Sequence, residues 1–251
     1  MSLALVTGAH SGLGKVLCQS LAEQGVRLIV SARTIDQLQE LSQTLPPETI
    51  LHPADLADPA ARRGLIALIR QLTPDLLINN AGFGLYGDAL DHPIEKQLEM
   101  LRVNAEAVIE LTLECARALK DKKKEGTVLN VSSCAAFFTY PSFALYAATK
   151  ALVHQFSESL DTEMRPYGIC ILSALPGQFD SPFRIKAGGK KARSRLFVMS
   201  TNRVASAVLR QIRQKKRVAI IDFRYRILLF LSRFIPRRIL EKILRAGIIH
   251  K

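Results

Sequence analysis

The sequence predicts an α/β protein with a doubly wound fold, in which a seven-stranded parallel sheet carries helices on both faces. Short apolar runs of strand length alternate with longer amphipathic stretches, and 48% of the 251 residues are hydrophobic, enough for the core of one large domain. Strands separated by helices pair in parallel through right-handed crossovers. The predicted strands are 3–7, 27–31, 49–52, 76–79, 127–131, 169–173 and 218–221.

A glycine-rich loop follows the first predicted strand. It reads Thr7-Gly-Ala-His-Ser-Gly-Leu-Gly14 and leads into a helical run over 13–24 that Gly25 ends. Glycines let the backbone approach a pyrophosphate closely, and a helix N-terminus offers unpaired N–H groups with partial positive charge. Three glycines also suit a plain strand-to-helix turn, but the position between a strand and a helix favours a phosphate site. The predicted cofactor-binding residues of this loop are Gly8, His10, Ser11, Gly12, Leu13 and Gly14.

The end of the second strand indicates which dinucleotide binds. An NAD site usually places a carboxylate about 20 residues beyond the glycines, whereas a 2′-phosphate needs a cation. Here the strand ends in Ala32-Arg33, and no acidic residue appears before Asp36. Arg33 can form paired hydrogen bonds with a phosphate, although it can also be a solvated residue beside a helix cap at Thr34. We therefore expect NADPH in preference to NAD.

Further polar residues follow the third and fourth strands. Asp55-Leu56 can meet an adenine amine, or Asp55 can serve only as a turn residue. Asn79-Asn80-Ala81-Gly82 ends the fourth strand at the sheet edge where ligands bind, although it can also be only a turn. Asn104 lies mid-helix, an unfavourable place unless its amide has a partner.

A hydroxyl, a phenol and an amine lie close together in the stretch 132–150. On a helix, Tyr146 and Lys150 share one face about 6 Å apart, and a neighbouring ammonium favours the phenolate. A Tyr and a Lys four residues apart are also common surface residues. With a hydroxyl from the same stretch, the pair has the groups that a proton-transfer site needs, in which Lys150 would bring the pKa of Tyr146 down towards working pH, but the pair needs partners elsewhere in the chain.

Together these motifs resemble the short-chain dehydrogenase/reductase family over about residues 3–223. The resemblance rests on the order of the glycine loop, Asn79-Asn80-Ala81-Gly82, Asn104, Ser133, Tyr146-x-x-x-Lys150 and Pro176-Gly177. It implies a Rossmann fold and an NADP-dependent enzyme acting on CH–OH or C=O groups. We expect a catalytic domain over 1–223, with a cofactor half 1–104 and a catalytic and substrate half 105–223, and an extension over 224–251.

The resemblance also implies roles for single residues. Tyr146 would donate a proton to a substrate carbonyl oxygen, and Ser133 would polarise that oxygen. Lys150 would lower the pKa of Tyr146 and hold the nicotinamide ribose, while Asn104 would anchor a water that relays protons to Lys150. Asn80, Ala81 and Gly82, with Asn79, would line the cofactor groove. Pro176 and Gly177 would border the nicotinamide, and Ser181 stands where the family often has Thr.

The cysteine and histidine content indicates whether disulfides or a metal site are expected. Cys18, Cys115, Cys134 and Cys170 form no Cys-x-x-Cys pair, and the five histidines are dispersed, so we expect neither disulfides nor a metal site. No signal peptide pattern is read at the start, and we expect a cytoplasmic location.

Residues 186–251 hold 19 Lys and Arg against 2 Asp and Glu, whereas 1–185 hold 16 against 20. The basic last quarter predicts an anionic partner.

The extension over 224–251 combines apolar and basic helix faces, with a second such stretch over 238–245. Its longest uncharged run, 227–232, is too short to span a bilayer. A peripheral anchor on an anionic membrane is favoured. The alternatives are packing over the substrate pocket or a partner subunit, and capture of an acidic acyl carrier protein; nucleic acid is disfavoured because no binding motif appears.

We predict reduction of a hydrophobic, lipid-like ketone, such as a 3-oxoacyl, ketosphinganine-like or steroid-like compound, in an apolar pocket. The residues expected to make that pocket apolar are Phe83, Phe138, Tyr140 and Phe143. Two alternatives stay open: a 3-oxoacyl carrier-protein reductase and a non-catalytic NADPH-binding scaffold or sensor. By resemblance the protein would be a homodimer or homotetramer that pairs through helices near 93–119 and 145–165.

Overall fold

Seven parallel strands form a single sheet in the part of the chain that the computed structural model describes, residues 2–189, 198–232 and 234–235. The order of the strands is β3-β2-β1-β4-β5-β6-β7. Their bounds are β1 Leu3–Thr7, β2 Arg27–Ala32, β3 Ile50–Pro53, β4 Leu76–Asn79, β5 Gly126–Val131, β6 Ile169–Leu175 and β7 Val218–Ile220. The predicted fold class is confirmed, and the predicted strands are offset by at most two residues at either end.

Helices connect the strands. They are α1 Gly12–Ala22, α2 Ile35–Ser42, α3 Pro59–Leu72, α4 Ile94–Leu101, α5 Ala107–Asp121, α6 Ala144–Met164, α7 Phe183–Lys186, α8 Thr201–Arg213 and α9 Phe223–Ser232. A single π-helical turn, Arg102–Glu106, joins α4 to α5. Helix α1 ends two residues before the predicted end, because Gly25 takes a φ of 73° and closes the helix through its N–H to the Ala22 carbonyl.

The core lies in two layers, one on each face of the sheet. One layer packs α1, α2 and α8 against the sheet through residues such as Leu17, Leu38 and Val208. The other packs α3, α5 and α6 through residues such as Leu65, Leu111 and Leu160. Because both faces are covered, the central strands are mostly apolar, as in β1, where every residue is buried.

A buried carboxylate fixes the far end of α6 to the sheet. Asp161 is fully buried, accepts the Ile171 backbone N–H at 2.8 Å, and pairs with Arg165 at 2.9 Å and Arg217 at 2.6 Å. The bonds reach β6 and the segment that leads into β7. They satisfy a charge that would otherwise be costly to bury.

In the described part of the chain, no helix has the length and apolar character needed to cross a membrane. The extension begins as α9, whose Phe223, Ile227 and Phe230 are exposed. The second amphipathic stretch predicted over 238–245 lies outside the described residues.

Candidate active site

A cavity of about 1050 Å³ opens at the carboxyl ends of the strands. The strand order reverses between β1 and β4, which creates the crevice where ligands bind in doubly wound sheets. Every predicted site residue lines this cavity except Gly14, Asn79 and Asn104. Those that line it are Gly8, His10, Ser11, Gly12, Leu13, Arg33, Asp55, Leu56, Asn80, Ala81, Gly82, Ser133, Tyr146, Lys150, Pro176, Gly177 and Ser181. Asn79 was expected to line the cofactor groove, but it is buried and its amide donates to Thr112 and Asn130 instead.

The glycine loop is packed so closely that side chains are excluded. A Cβ at Gly8, where φ is 63°, would lie 2.8 Å from the Ala81 Cα, and one at Gly14 would collide with the Gly8 carbonyl oxygen. Gly14 therefore serves the packing of α1 against the loop. Thr7 ties the loop to β4, because its hydroxyl accepts the N–H groups of Asn80 and Ala81 at 3.1 Å each.

Helix α1 points its N-terminus at the cavity. It starts at Gly12, and the side chain of its N-cap, Ser11, makes no capping hydrogen bond. The first-turn N–H groups and the positive end of the helix dipole are therefore available to an anion, which is the arrangement that a pyrophosphate requires.

Basic groups surround the end of the cavity beside β2. Arg33 lines the cavity with its side chain 57% exposed, and the nearest carboxylate paired with it is Glu99 at 3.9 Å. His10 is half-buried and its Nδ1 atom has no hydrogen-bond partner. Burial lowers the pKa of His10, and the charges of Lys186 and Arg33 lower it further. An unpaired ring nitrogen beside these cations fits a phosphate group on the adenosine ribose.

Asp55 and Leu56 lie at the adjacent wall, where a buried arginine holds their loop. Asp55 accepts the Ala57 N–H at 2.9 Å, so it acts as a turn residue while also lining the cavity. Arg62 is only 2% exposed and donates to the Leu56 carbonyl at 2.8 Å. The same guanidinium pairs with Glu106 in the π-helical turn and with Glu110 in α5, so one buried cation connects this loop to the helix beside the catalytic residues.

The structure brings Ser133, Tyr146 and Lys150 together. Tyr146 and Lys150 share one face of α6 and are 8% and 4% exposed. The Tyr146 hydroxyl is hydrogen-bonded to Ser133, which follows β5. The Lys150 ammonium lies 5.7 Å from the centre of the Tyr146 ring and donates to the Val131 carbonyl at 2.9 Å.

The pKa of Tyr146 in this structure differs from the one expected from the sequence. Burial raises the pKa of Tyr146 well above its ordinary value, and the hydrogen bond with Ser133 opposes this only in part. Burial also lowers the pKa of Lys150, to about 8. The predicted lowering of the Tyr146 pKa by Lys150 is therefore wrong for this structure, because desolvation outweighs the attraction between the two groups. The phenol keeps its proton at neutral pH, which is the state that a proton donor needs.

Asn104 has the partners that its mid-helix position requires. It is fully buried within the π-helical turn, where the Ala107 N–H bonds to the Arg102 carbonyl. Its amide donates to the Phe83 carbonyl at 2.8 Å and accepts the Phe83 N–H at 3.0 Å. A Cβ at Gly82 would lie 3.0 Å from the Asn104 Oδ1 and 3.4 Å from the Lys150 Nζ, so Asn104 lies beside the catalytic group without lining the cavity.

Aromatic rings form the wall next to Tyr146. The Phe143 ring stacks on the rings of Tyr146 and Tyr86, with ring centres 4.2 Å and 4.0 Å apart. The centre of the Phe183 ring lies 5.4 Å from that of Tyr146. Sequence reasoning found Phe143 but missed Tyr86. The sequence offered one signal for this wall, Gly84, which lies two positions before Tyr86. A Cβ at Gly84 would strike the Phe143 ring, so the backbone passes close to the aromatic residues here.

Tyr225 is the second residue that sequence reasoning missed. It belongs to α9, and its ring covers Gly177 so closely that a Cβ at Gly177 would overlap the ring. Its hydroxyl accepts the Gln178 N–H at 3.3 Å, and the side chain lines the cavity. No local pattern marks Tyr225, because its role depends on where α9 folds back after β7.

The thiols take no visible part in this site. All four cysteines are buried and unpaired, and burial raises the pKa of Cys134 to about 12. Its Sγ lies 3.4 Å from the Leu175 carbonyl, which confirms Cys134 as a packed residue. Over the described ranges, no cluster of three or more His, Cys, Asp or Glu could hold a metal ion.

Comparison with known proteins supports the family that the motifs of the sequence resemble. A family model described as short chain dehydrogenase matches residues 2–192. A dehydrogenase/reductase SDR family protein 7-like protein of Anopheles gambiae is 30% identical over 195 residues, which cover 74% of this chain. The chain spans 61% of the length of that relative.

Two solved structures are similar throughout the fold. One is a short-chain dehydrogenase from Sphingobium yanoikuyae in complex with NADPH, with a TM-score of 0.82, 26% identity and 87% of both chains covered. The other is the bulky-bulky ketone specific alcohol dehydrogenase from Comamonas testosteroni, with a TM-score of 0.78 and 26% identity over 93% of this chain and 92% of that one. The family model covers most of the chain, and this protein belongs to the short-chain dehydrogenase family as an oxidoreductase that interconverts carbonyl and alcohol groups with a nicotinamide dinucleotide.

Proposed function

We propose that this protein uses NADPH to reduce a bulky hydrophobic ketone to an alcohol. The observation that carries the proposal is the protonated Tyr146 phenol, hydrogen-bonded to Ser133 and placed in a wall of aromatic rings. A hydroxyl pair of this kind can stabilise negative charge on a carbonyl oxygen, and the rings can bury an apolar substituent.

The choice of NADPH rests on the cations beside β2. Arg33, Lys186 and the unpaired His10 nitrogen favour a 2′-phosphate over a bare ribose hydroxyl. The similar Sphingobium structure is a complex with NADPH, which agrees with this choice. The glycine loop and the N-terminus of α1 would hold the pyrophosphate, and Pro176 and Gly177 would border the nicotinamide.

A bound reduced nicotinamide supplies the hydride that goes to the carbonyl carbon. Tyr146 donates its proton to the carbonyl oxygen, and Ser133 donates a hydrogen bond to the same oxygen as negative charge grows. The Lys150 ammonium stabilises the phenolate left on Tyr146 and would hold the nicotinamide ribose. Asn104, beside Lys150, would anchor a water that relays protons to Lys150, as the family resemblance implies.

The substrate class follows from the aromatic wall. Tyr86, Phe143 and Phe183 enclose Tyr146, and Arg184 lies with its guanidinium 5.6 Å from the centre of the Tyr86 ring. This wall suits a substituent larger than a methyl group on the ketone. The similar Comamonas enzyme is specific for bulky-bulky ketones, which supports a large substrate here as well.

The test is NADPH oxidation against 3-oxoacyl thioesters, ketosphinganine-like lipids, steroids and small aldehydes. Tyr146→Phe removes the donor and should reduce turnover by at least about a hundredfold, because proton transfer contributes roughly two to four powers of ten. Tyr140→Phe removes a hydroxyl from the same cavity and should retain activity. Faster turnover of short polar ketones than of bulky ones would refute the substrate class.

The cofactor choice has its own test. Arg33→Ser should raise the KM for NADPH at least about tenfold and leave that for NADH nearly unchanged, since only the 2′-phosphate contact is lost. Arg27→Ser, at the exposed opposite end of β2, is the matched control. Equal effects on the two cofactors would contradict a phosphate contact at Arg33.

A 3-oxoacyl carrier-protein reductase is the second candidate. Arg184 and Lys186 in α7 line the cavity and would attract an acidic carrier protein. Turnover of carrier-bound but not free 3-oxoacyl thioesters would favour this candidate. If Tyr146→Phe left the biological role intact, the scaffold alternative would replace both.

Pairing of subunits through α4, α5 and α6 is a further part of the proposal. Leu98, Leu113 and Leu152 are exposed on these three helices, where apolar side chains suit a contact between copies. Sedimentation that shows only monomers at micromolar concentration would contradict it.

A further inference from the structure

Helix α9 has an apolar face that no described residue covers. Phe223, Ile227, Phe230 and Leu231 are 64%, 53%, 60% and 49% exposed. At 3.6 residues per turn these four positions fall within about 100° of arc. Phe234, just beyond the helix, is 73% exposed and its ring lies 5.4 Å from that of Phe230, which extends the face.

The opposite side of α9 is attached to the active site. Tyr225 covers Gly177 and accepts the Gln178 N–H at 3.3 Å, and Leu229 is half-buried. Asp222 precedes the helix, is 3% exposed and accepts the Arg224 N–H at 3.0 Å. The helix therefore cannot turn its apolar face inward without withdrawing Tyr225 from the cavity wall. No described residue is placed to cover this face, so within the described part of the chain it stays in contact with water.

Charge indicates which partner fits. Residues 224–251 hold eight Lys and Arg and one Glu, and Arg226 lies exposed at one edge of the apolar face. Two copies that met through α9 would bring two strongly basic segments together, which is unfavourable. Apolar side chains beside basic ones instead match an interface of acyl chains and anionic headgroups.

We propose that the α9 face, defined as Phe223, Ile227, Phe230, Leu231 and Phe234, docks on an anionic lipid bilayer. The large side chains enter the boundary between headgroups and acyl chains, and Arg226 binds the headgroups. Because Tyr225 lies on the same helix, docking places the nicotinamide end of the cavity close to the bilayer. Delivery of a membrane-dissolved ketone to that end would rest on the proposed function, whereas docking itself would not.

The test is flotation of the full chain with vesicles. Vesicles of phosphatidylcholine alone are compared with vesicles that contain about one third phosphatidylglycerol. We expect binding to the second kind, and binding at least about tenfold weaker for the Ile227→Asp/Phe230→Asp double variant, because two large side chains leave the interface. Leu90→Asp/Ile94→Asp is the matched control, since Leu90 and Ile94 are 99% and 68% exposed outside α9 and the two new charges are the same.

Each other outcome counts against docking. Failure of the wild-type protein to bind anionic vesicles, or equal binding by the double variant, overturns the proposal. Conversion of a larger oligomer into a smaller one by the double variant, without a change in vesicle binding, assigns the face to a second copy. Loss of affinity for an acidic carrier protein alone assigns it to that partner.

A separate readout distinguishes docking from the catalytic proposal. NADPH oxidation with a water-soluble ketone is measured without vesicles, and the double variant should match the wild type because its two changes are exposed. Activity without vesicle binding would overturn docking alone. Vesicle binding without NADPH oxidation would overturn the proposed function alone.

Discussion

The buried ammonium of Lys150 destabilises the fold that carries it, and Lys150→Met tests this directly. Burial lowers its pKa from 10.5 to about 8, which corresponds to about 3 kcal/mol at roughly 1.4 kcal/mol per tenfold change in affinity for a proton. The variant also loses the hydrogen bond to the Val131 carbonyl, worth about 1 kcal/mol. Lys150→Met should therefore be about 2 kcal/mol more stable at about pH 7 and should lose its reductase activity.

A sharper test is how the difference in free energy of unfolding between Lys150→Met and the wild type changes with pH. Below the folded-state pKa of about 8 both states hold the proton, so the advantage of the variant is constant. Between that value and 10.5 the unfolded chain binds the proton while the folded chain does not, so the wild type gains stability relative to the variant as pH rises. Urea unfolding at about pH 7 and about pH 10 should therefore show the difference shrinking or reversing.

An exposed lysine provides the control for this experiment. Lys216→Met should change stability by no more than about 0.5 kcal/mol at both pH values. A Lys150→Met variant less stable than the wild type at about pH 7, or a difference that does not vary with pH, would refute the claim that desolvation governs this lysine.

Three further substitutions test the packing around the site. Gly82→Ala places a Cβ 3.0 Å from the Asn104 amide oxygen and should reduce kcat at least about tenfold with an unchanged circular dichroism spectrum. Asp161→Asn removes the buried carboxylate charge that pairs with the partly exposed Arg165 and Arg217, and should lower the free energy of unfolding by about 1 kcal/mol in urea. Arg62→Met frees the Leu56 carbonyl and should raise the KM for NADPH more than it lowers kcat, as steady-state kinetics will show.

Each of these three substitutions has its own control or contradicting result. Gly25→Ala has open space at its Cβ but a φ of 73°, so it should lower stability without affecting kcat, unlike Gly82→Ala. Wild-type stability of Asp161→Asn would show that the arginines find water instead. An Arg62→Met variant with an unchanged KM for NADPH would show that the Leu56 loop holds its shape unaided.

Much of the molecule was predictable because its signals are local. The alternation of apolar runs with amphipathic stretches predicted all seven strands, since the inner strands are covered by helices on both faces. The glycine loop was predictable because only residues without a Cβ fit against Ala81 and the Gly8 carbonyl. Tyr146 and Lys150 could be paired from their spacing because a helix brings i and i+4 to one face, whereas Ser133 was named from the family resemblance.

Other properties were decided by tertiary structure. The pKa of Tyr146 depends on how completely the surrounding rings exclude water, and spacing alone suggested the opposite direction. The π-helical turn appears only when α4 and α5 pack beside α6 and Asn104 finds the Phe83 backbone.

The sequence by itself predicted the sheet, the glycine loop and the candidate proton-transfer residues, because each signal depends on residues close together in the chain. Only the tertiary structure decided that Tyr225 in α9 covers Gly177, some 48 positions earlier, and that the other face of the same helix is left exposed. Contacts between segments so distant in the chain are chosen by the shape and burial of the whole fold, and no local pattern records them.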